Sequence, residues 1–561
     1  MSVNNNRIIR HLLTAMIGLA VLILLIVECI LNMTPPISRD ALIHHLSIPK
    51  LWLNHGGFYE MTWSVFSYYP MNVDLLYIIP LYLNKDFITK FIHMGFGIGT
   101  ALMIYYYLRN RISHTAGLLG ILVFLSTPVV VRLSTQAYVD LGLAFFTTAA
   151  LLAFIRYRDS NFTEFKWLFL SSVAMGLALG TKYNALIAWF FLSVTIVFVY
   201  ANETKEQWQA IKCGTIFFLI SLLIFSPWLI KNAILTGNPL YPLFQGILNI
   251  NNVANEDGTY SIVSGGTIRG IFQFREMMYG ESFWDTLLIP LRYFFQGQDH
   301  SHRFFDGVLN PVLIILAPLA FINKSFMRDK LLFIIFSVFF VLVATFLDQT
   351  RIRYILPVVP VLSILTVMGL MNTFNWNINV SNHWKNFFSY TALFIFIFFI
   401  SQNFLYLKNY YQTINPWNYV SGKESRDAFL TRHVGSYAVM KYINEHTPPD
   451  ARIKLILVAG RAYYLDREYE YDRSMGMSFI SNLVKASREE KTFPKYVQSL
   501  GFTHLLVRTD LYLKYLHDNY PPETVNQFLR QMNRTTEIMH EANGHAVIRF
   551  IPDGTSRMMN S

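Results

Sequence analysis

The sequence predicts a polytopic α-helical membrane protein that carries a small α/β domain at its C-terminal end. Of the 561 residues, 53% are hydrophobic and only 14% are charged. Soluble domains carry about 25% charged residues, so much of this chain is not solvated by water. About eleven apolar stretches qualify as spanning helices, which need roughly 20 mostly apolar residues. After about residue 408 the composition becomes that of a water-soluble domain, so the expected domains are residues 1–408 and 409–561.

Each predicted span is an apolar run that ends at charged, polar or proline residues. Eight spans are expected at about 12–33, 88–108, 115–131, 166–181, 211–229, 306–322, 354–372 and 386–407. The fourth starts at Asp140 and returns to Arg156-Tyr157-Arg158, the sixth returns to the polar run that begins at Asn202, and the ninth rises to Asp348. The fifth and eighth have the weakest signals.

Basic residues predict the orientation of these spans, because cytoplasmic loops carry an excess of Lys and Arg. Arg7 and Arg10 precede the first span, and Arg109 and Arg111 follow the second. The N-terminus is therefore expected in the cytoplasm and the C-terminal domain on the outer side. The residues Met558-Met559-Asn560-Ser561 are not a eukaryotic retention signal, which favours a bacterial inner membrane with the C-terminal domain in the periplasm.

Two long loops, 34–87 and 230–305, then lie outside. The first is apolar and broken by prolines, which predicts short helices on the membrane surface. A re-entrant pair or an extra span is the alternative.

The C-terminal residues alternate between helical and strand patterns. The expected elements are a helix at 436–445, a strand at 453–458, a helix at 493–500, a strand at 501–507 and a hairpin of strands near 535–541 and 545–551. Asn543-Gly544 is a favoured pair for the tight turn of such a hairpin. This alternation predicts an α/β domain.

Several other functions and features are excluded. The net charge of +11 does not indicate nucleic-acid binding, because no basic water-soluble module accompanies it. Cys29 and Cys213 fall near opposite ends of predicted spans, so no disulfide is expected. The first apolar segment is too long for a removed signal peptide and lacks a cleavage site, so we interpret it as a retained anchor.

Asp40 is the first carboxylate beyond the first apolar segment. A helix over residues 39–48 would place Asp40 and His44 on one face. A carboxylate at the bilayer surface is costly unless it is paired or functional, and it can act as the base that deprotonates a hydroxyl nucleophile. The alternatives are a helix cap or an ion pair with Arg39.

Further charged residues fall on the same predicted side. Asp140 opens the fourth span, where the helix dipole favours an acid, so capping is the alternative. Lys182 follows the fifth span and either extends to the interface or binds the phosphate of a lipid carrier. Arg351 and Arg353 offer planar forks for phosphate oxygens. The positive-inside rule makes basic residues less expected on the outer side of the membrane. We therefore consider Lys182, Arg351 and Arg353 together with Lys231.

Five stretches resemble the GT-C glycosyltransferases, in particular the family 39-like branch of protein mannosyltransferases and the lipid A aminoarabinose transferase. They follow the order and predicted side of that family and cover most of residues 1–375. They are Asp40-Ala41, Ala137-Tyr138-Val139-Asp140, Gly176 to Lys182, Ser226 to Asn232 running into Thr236-Gly237-Asn238-Pro239, and Arg353-Tyr354-Ile355-Leu356-Pro357.

The resemblance implies catalytic roles for Asp40, as general base or activator of the acceptor, and for Asp140, as a supporting acid. It implies that Lys182 contacts the donor phosphate. Arg351 and Arg353 are further candidate phosphate ligands because of their planar guanidinium groups.

The chain departs from the family pattern at two places in the first loop. An acidic pair is replaced by Asp40-Ala41, and a Lys-Pro-Pro by Tyr68-Tyr69-Pro70. The remaining substrate-lining candidates are His44, Tyr69 and Lys231.

Histidines raise the question of a metal ion. His44-His45, with His300 and His302, would be suitable zinc ligands together with Asp40. Loop histidines are common and the two pairs are far apart in the sequence, so no cofactor is expected, with a divalent metal kept as the alternative.

The expected function is transfer of a sugar from a polyprenyl-phosphate donor to a lipid, polysaccharide or protein acceptor at the outer membrane surface. The C-terminal domain would dock the acceptor or cover the site. One alternative is a flippase for lipid-linked glycans, which should carry charged or broken helices at the membrane midplane. Another is a polysaccharide polymerase or ligase that relies on outer-loop arginines.

Overall fold

The computed structural model describes residues 2–244, 268–347, 350–374, 382–472, 474–489 and 492–551. The chain divides into two compact units. The helical unit comprises residues 1–34, 68–80 and 85–416, and the C-terminal unit comprises 35–67, 81–84 and 417–561. The Gly- and Asn-rich middle of predicted loop 230–305, and Asp348 at the end of the ninth span, lie outside the described residues. The predicted domain assignment of 1–408 and 409–561 stays a prediction.

The helical unit is built from helices with apolar sequences. Its described α-helices are α1 Ser2–Asn32, α3 Asn72–Tyr82, α4 Ile88–Arg111, α5 His114–Ser126, α6 Pro128–Ser134, α7 Asp140–Asp159, α8 Phe165–Leu179, α9 Ala185–Thr204, α10 Gln207–Thr236, α11 Ile268–Tyr279, α12 Phe283–Leu287, α13 Ile289–Phe295, α14 Val312–Ile315, α15 Met327–Leu347, α16 Val359–Phe374 and α17 Asn382–Ile414. Helix α2 (Ser47–His55) belongs to the C-terminal unit, as do the residues of α3 after Pro80. Two 3₁₀-helices, Ala317–Ile322 and Ile352–Val358, precede α15 and α16.

Every predicted span has a helical counterpart, but the described helices do not all have the length of a span. Eight are long and apolar enough to cross a membrane, and the α5–α6 pair, bent by 71°, is a ninth. The bend falls at Pro128, which has no amide hydrogen to continue the α5 ladder. The fifth and eighth predicted spans correspond to shorter apolar helices, Phe165–Leu179 and Val312–Ile322. The prediction of an integral membrane protein is confirmed, while the count of eleven stays a prediction.

The segment 35–67, which belongs to the C-terminal unit, is a series of short helices. It contains a π-helical turn at Ala41–His45, then α2 Ser47–His55 and the start of a 3₁₀-helix at Val65–Tyr68. In the π-helical turn the amide of Leu46 donates to the carbonyl of Ala41, one residue farther back than in an α-helix. The expected short helices are therefore present, and their position on a membrane surface stays a prediction.

The rest of the C-terminal unit is the predicted α/β domain. Its five strands, β1 Arg452–Ile456, β2 Glu468–Glu470, β3 His504–Arg508, β4 Thr536–Ala542 and β5 His545–Phe550, form one sheet in the order β2-β1-β3-β5-β4. Its helices are α18 Trp417–Val420, α19 Arg426–His433, α20 Tyr437–His446, α21 Met477–Ala486, α22 Phe493–Ser499, α23 Thr509–Asn519 and α24 Pro522–Thr535.

The sheet contains both parallel and antiparallel strand pairs. β1 pairs in parallel with β2 and β3, whereas β5 is antiparallel to both β3 and β4. The β4–β5 hairpin turns at Asn543 and Gly544, whose φ angles of 51° and 69° are those of a type I′ turn. The hairpin prediction is confirmed. Ile456, Leu505 and Val507 pack with Phe493 and Phe528 in a buried core that covers one face of the sheet.

Candidate functional site

A buried ion pair between Asp140 and Lys182 lies at the start of α7 in the helical unit. Lys182 Nζ lies 2.6 Å from Asp140 Oδ1. The Asp140 side chain is 0% exposed and that of Lys182 is 20% exposed. The second oxygen, Asp140 Oδ2, has no hydrogen-bond partner among the described residues. Because the Lys182 ammonium bonds a buried carboxylate and is itself partly exposed to solvent, it can bind a second anion.

His93, which the sequence analysis missed, fixes the start of α7. Its Nε2 accepts a hydrogen bond of 2.9 Å from the Leu141 amide, one of the amides that a helix start leaves unpaired. Its Nδ1 lies 2.8 Å and 2.9 Å from the carbonyl oxygens of Leu133 and Gln136, so it is the nitrogen that carries the hydrogen. The ring therefore ties the chain before Asp140 to the helix that Asp140 opens. The available signal was a histidine inside a predicted span, where ionisable residues are rare.

Three cationic side chains surround the ring of Tyr354. Lys182 Nζ lies 4.6 Å from the ring centroid, and the guanidinium carbons of Arg353 and Arg351 lie at 5.3 Å and 6.0 Å. The Arg353 guanidinium is also 5.3 Å from the ring of Tyr138. The 3₁₀-helix Ile352–Val358 carries Arg353 and Tyr354, and Arg351 is its N-cap residue. We call Asp140, Lys182, Arg351, Arg353 and Tyr354 the cationic cluster.

An ion-pair network around Arg132 holds the loop that contains His300. Arg132 bonds Asp299 at 2.7 Å and Asp306 at 3.0 Å, and Tyr406 donates to Asp299 at 2.5 Å. Burial is the largest influence and disfavours the Asp306 carboxylate, but the charge of Arg132 and the hydrogen bonds from Arg132 and the His300 amide together hold the pKa of Asp306 below its ordinary value. The His300 amide also donates to Asp306 at 3.0 Å. The sequence analysis missed both acids, because their partner lies far away in the chain.

Hydrogen bonds to residues 68–72 join two of the stretches on which the resemblance rests, Gly176 to Lys182 and Ser226 to Asn232. The backbone amide of Asn72 donates to Gly180 O at 2.8 Å, and the Trp228 indole donates to the side-chain oxygen Asn72 Oδ1 at 2.8 Å. A Cβ on Gly180 would lie 2.0 Å from Asn72 Nδ2, so only glycine allows this approach. Asn232 Nδ2 donates to Tyr68 O at 2.9 Å. The segments 68–72, 176–182 and 226–232 are therefore packed as one layer.

The substrate-lining candidates Tyr69 and Lys231 belong to this layer. The Tyr69 ring contacts that of Tyr183 edge to face, with centroids 5.7 Å apart. Lys231 Nζ lies 4.8 Å from the Trp228 ring centroid. Both side chains thus contact aromatic rings.

Asp40 lies in the C-terminal unit, at the N-cap of the π-helical turn. Its side chain is half-buried and makes no capping hydrogen bond. Arg39 makes no ion pair among the residues that the structure describes. Neither alternative explanation for Asp40 is therefore observed. His44, in the same turn, is buried and stacks on Phe66 with centroids 4.2 Å apart.

The segment of Asp40 is anchored to the stretch 460–466, in which the sequence analysis recognised no function. Lys50 Nζ donates to Asp466 Oδ1 at 2.6 Å, to Tyr463 O at 2.7 Å and to Leu465 O at 3.2 Å. The Tyr464 hydroxyl donates to Pro36 O at 2.7 Å. These bonds hold both ends of the stretch that carries Asp40.

The structure brings some of the predicted site residues together. Asp140, Lys182, Arg351 and Arg353 form one cluster in the helical unit, whereas Asp40 and His44 belong to the C-terminal unit. Among the described parts of the chain, no three His, Cys, Asp or Glu side chains are arranged to hold a metal ion.

Comparison with known proteins identifies the fold. Residues 80–230 match the family described as dolichyl-phosphate-mannose-protein mannosyltransferase. The crystal structure of ArnT from Cupriavidus metallidurans bound to undecaprenyl phosphate matches with a TM-score of 0.54 and 15% identity, over 96% of this chain and 99% of ArnT. The chain has the GT-C fold. The predicted resemblance to GT-C glycosyltransferases and the predicted fold class are therefore confirmed.

Two further structures have the same GT-C fold. Apo ArnT from Cupriavidus metallidurans gives a TM-score of 0.53 at 15% identity, over 95% of this chain and 98% of ArnT. The Archaeoglobus fulgidus oligosaccharyltransferase in complex with Zn and sulfate gives 0.53 at 12% identity, over 92% and 71% of the two chains. No curated protein sequence matches this chain significantly. The matched segment 80–230 contains Asp140 and Lys182, and the roles of all the site residues stay predictions.

Proposed function

We propose that this GT-C protein transfers a sugar from a polyprenyl-phosphate-linked donor to a hydroxyl acceptor at the outer face of a bacterial inner membrane, with inversion at the anomeric carbon. The family match and the ArnT structure with bound undecaprenyl phosphate support a donor of this class. Such a donor carries an anionic phosphate at the membrane surface and therefore needs cationic ligands at that depth.

The cationic cluster is the observation that carries the proposal. Three cations lie within 6.0 Å of the centroid of one ring, that of Tyr354, and Asp140 bonds the Lys182 ammonium. Arginine forks bind phosphate oxygens in pairs, and an ammonium adds a point charge. The same interactions stabilise the phosphate as it leaves with its extra negative charge.

In the proposed reaction the acceptor oxygen attacks the anomeric carbon and the bond from that carbon to the phosphate oxygen breaks. The acceptor proton passes to the carboxylate of Asp40, and the polyprenyl phosphate leaves as the second product. Asp140 orients Lys182 toward the leaving phosphate. His44, Tyr69 and Lys231 are proposed to line the substrates.

The experiment compares glycans by mass spectrometry in cells that express the wild type, Asp40→Asn, Asp450→Asn or an empty vector, all at equal protein level. Asp450 is exposed in the C-terminal unit and is a control for the loss of one surface carboxylate. We expect Asp40→Asn to match the empty vector, with one sugar missing from one class of product, and Asp450→Asn to match the wild type.

A second pair of variants distinguishes the alternatives. If Asp40→Asn retains full transfer while Arg351→Gln or Arg353→Gln abolishes the product, Asp40 is not the base, and a polymerase or ligase that relies on arginines is favoured. If all three variants retain the product, the transferase proposal is wrong.

A further inference from the structure

A crevice lies at the end of the helical unit opposite to the cationic cluster. Its volume is about 340 Å³, and α4, α7 and α8 line most of it. α7 begins at Asp140 and ends at Asp159, which lines the crevice. The crevice and the cluster are therefore separated by the length of a spanning helix, so the crevice is no part of the proposed transfer site.

Each of the three helices contributes both apolar and polar side chains to the crevice. The apolar side chains include Met103 of α4, Leu152 of α7 and Leu170 of α8, and the polar ones include Asn110, Arg156 and Trp167 in the same order. Each polar residue lies about one or two turns closer to the same end of the unit than its apolar neighbour. The crevice therefore has an apolar inner part and a polar mouth.

Of the charged side chains that line the crevice in the described part of the chain, Arg111 and Asp159 belong to an ion-pair network and Arg156 does not. Arg111 bonds Asp159 at 2.6 Å and Asp329 at 3.0 Å, and Arg158 bonds the same two acids. Two cations and two anions thus cancel. Arg156 is exposed and forms no hydrogen bond or ion pair through its side chain among the described residues.

The polar mouth has fixed and available donors besides Arg156. The Trp167 indole donates to Glu164 at 2.9 Å, which orients its ring at the rim. The Asn110 side chain makes no hydrogen bond among the described residues. The guanidinium of Arg156 can bind a phosphodiester, and the side-chain amide of Asn110 can bind a glycerol hydroxyl. The apolar part of the crevice can hold an acyl chain, and Trp167 lies where tryptophans are common, at the membrane interface.

We propose that this crevice binds an anionic glycerophospholipid, whose phosphate contacts Arg156 and whose acyl chain lies against Met103, Leu152 and Leu170. The basic residues at this end predict that it faces the cytoplasm, so the lipid belongs to the inner leaflet. The site is independent of the proposed sugar transfer.

Native mass spectrometry of the purified full-length protein tests the site. The probes are phosphatidylglycerol, phosphatidylcholine with the same acyl chains, and a polyprenyl phosphate. We expect phosphatidylglycerol to be retained in preference to phosphatidylcholine, and Arg156→Gln to bind it roughly five-fold more weakly, since one arginine near the surface contributes about that factor.

The matched control is Arg109→Gln, which removes an exposed cation of α4 that does not line the crevice. It should bind phosphatidylglycerol as the wild type does. Leu152→Trp, which fills the apolar part, should weaken binding with the charge intact. Equal losses in Arg156→Gln and Arg109→Gln, or equal retention of the two phospholipids, would overturn the proposal. So would polyprenyl phosphate displacing phosphatidylglycerol from the wild type but not from Arg156→Gln.

Discussion

The substitution Lys182→Met should destabilise the helical unit by more than any loss of a surface charge. It leaves the Asp140 carboxylate, which is 0% exposed, without the ammonium that lies 2.6 Å away. The other oxygen, Asp140 Oδ2, does not help to stabilise this charge, because it has no hydrogen-bond partner among the described residues. Removing one partner of a buried pair costs about 3–5 kcal/mol, so we expect a loss of this size.

The double variant Asp140→Asn/Lys182→Met separates stability from function. It removes both charges, and replacing a whole buried ion pair by uncharged groups is often close to neutral. We therefore expect it to recover about 2 kcal/mol or more of the stability that Lys182→Met loses. The measurement is the free energy of unfolding of the detergent-solubilised protein by tryptophan fluorescence, with sugar transfer measured on the same samples.

The proposed function requires the double variant to be folded and inactive. If its stability loss equals the sum of the losses in Lys182→Met and in the single variant Asp140→Asn, the pair is not energetically coupled and the electrostatic argument is refuted. If it is stable and fully active, the pair is only structural and Lys182 does not hold the donor phosphate.

Three further outcomes follow from the structure. Gly180→Ala should cost about 1–3 kcal/mol and lower the transfer rate, because a Cβ 2.0 Å from Asn72 Nδ2 forces that side chain to move; unchanged unfolding and rate would contradict this. Burial and, next, the charge of Arg549 lower the pKa of His504 to about 4, so the C-terminal unit should lose stability as the pH falls from about 6.5 to 4, where the unfolded chain binds the extra proton. Hydrogen exchange of the whole protein measures this, and His504→Gln should flatten the profile; an equal slope in that variant refutes the assignment. Lys50→Met should reduce kcat by roughly ten- to a hundred-fold through displacement of the candidate base while KM for the donor stays unchanged, and a parallel rise in KM would show a different role.

Apolar run length and local turn chemistry predicted most of the fold. Spans with a continuous apolar face, such as Ala185–Thr204, are found at the expected residues, and so is the hairpin at Asn543-Gly544. The two weakest spans fell short for a physical reason. The 15-residue helix Phe165–Leu179 reaches about 22 Å at 1.5 Å per residue, which is less than the apolar thickness of a bilayer.

The contacts of the candidate site were less accessible to sequence reasoning. Asp140 and Lys182 were each selected for their place at a helix end, but nothing local to either indicates that they bond one another. The network of Arg132 with Asp299 and Asp306 joins residues separated by more than a hundred positions, and only the packing of helices brings them together. His93 was missed because a histidine that pairs with backbone groups leaves no motif. Charges at helix ends can thus be selected from sequence, whereas their partners require the fold.

The direction in which the Asp40 side chain points depends on the number of residues in the π-helical turn Ala41–His45. This turn accommodates one residue more than an α-helical turn, with the Leu46 amide bonded to Ala41 O. Deleting a single residue between them would restore α-helical winding and rotate everything that precedes the turn by about 100° relative to α2. Asp40 would keep its neighbours in sequence and turn to another side of the segment. Deleting Leu42 or Ile43 would therefore change the geometry of the candidate site, although neither residue is itself a candidate site residue.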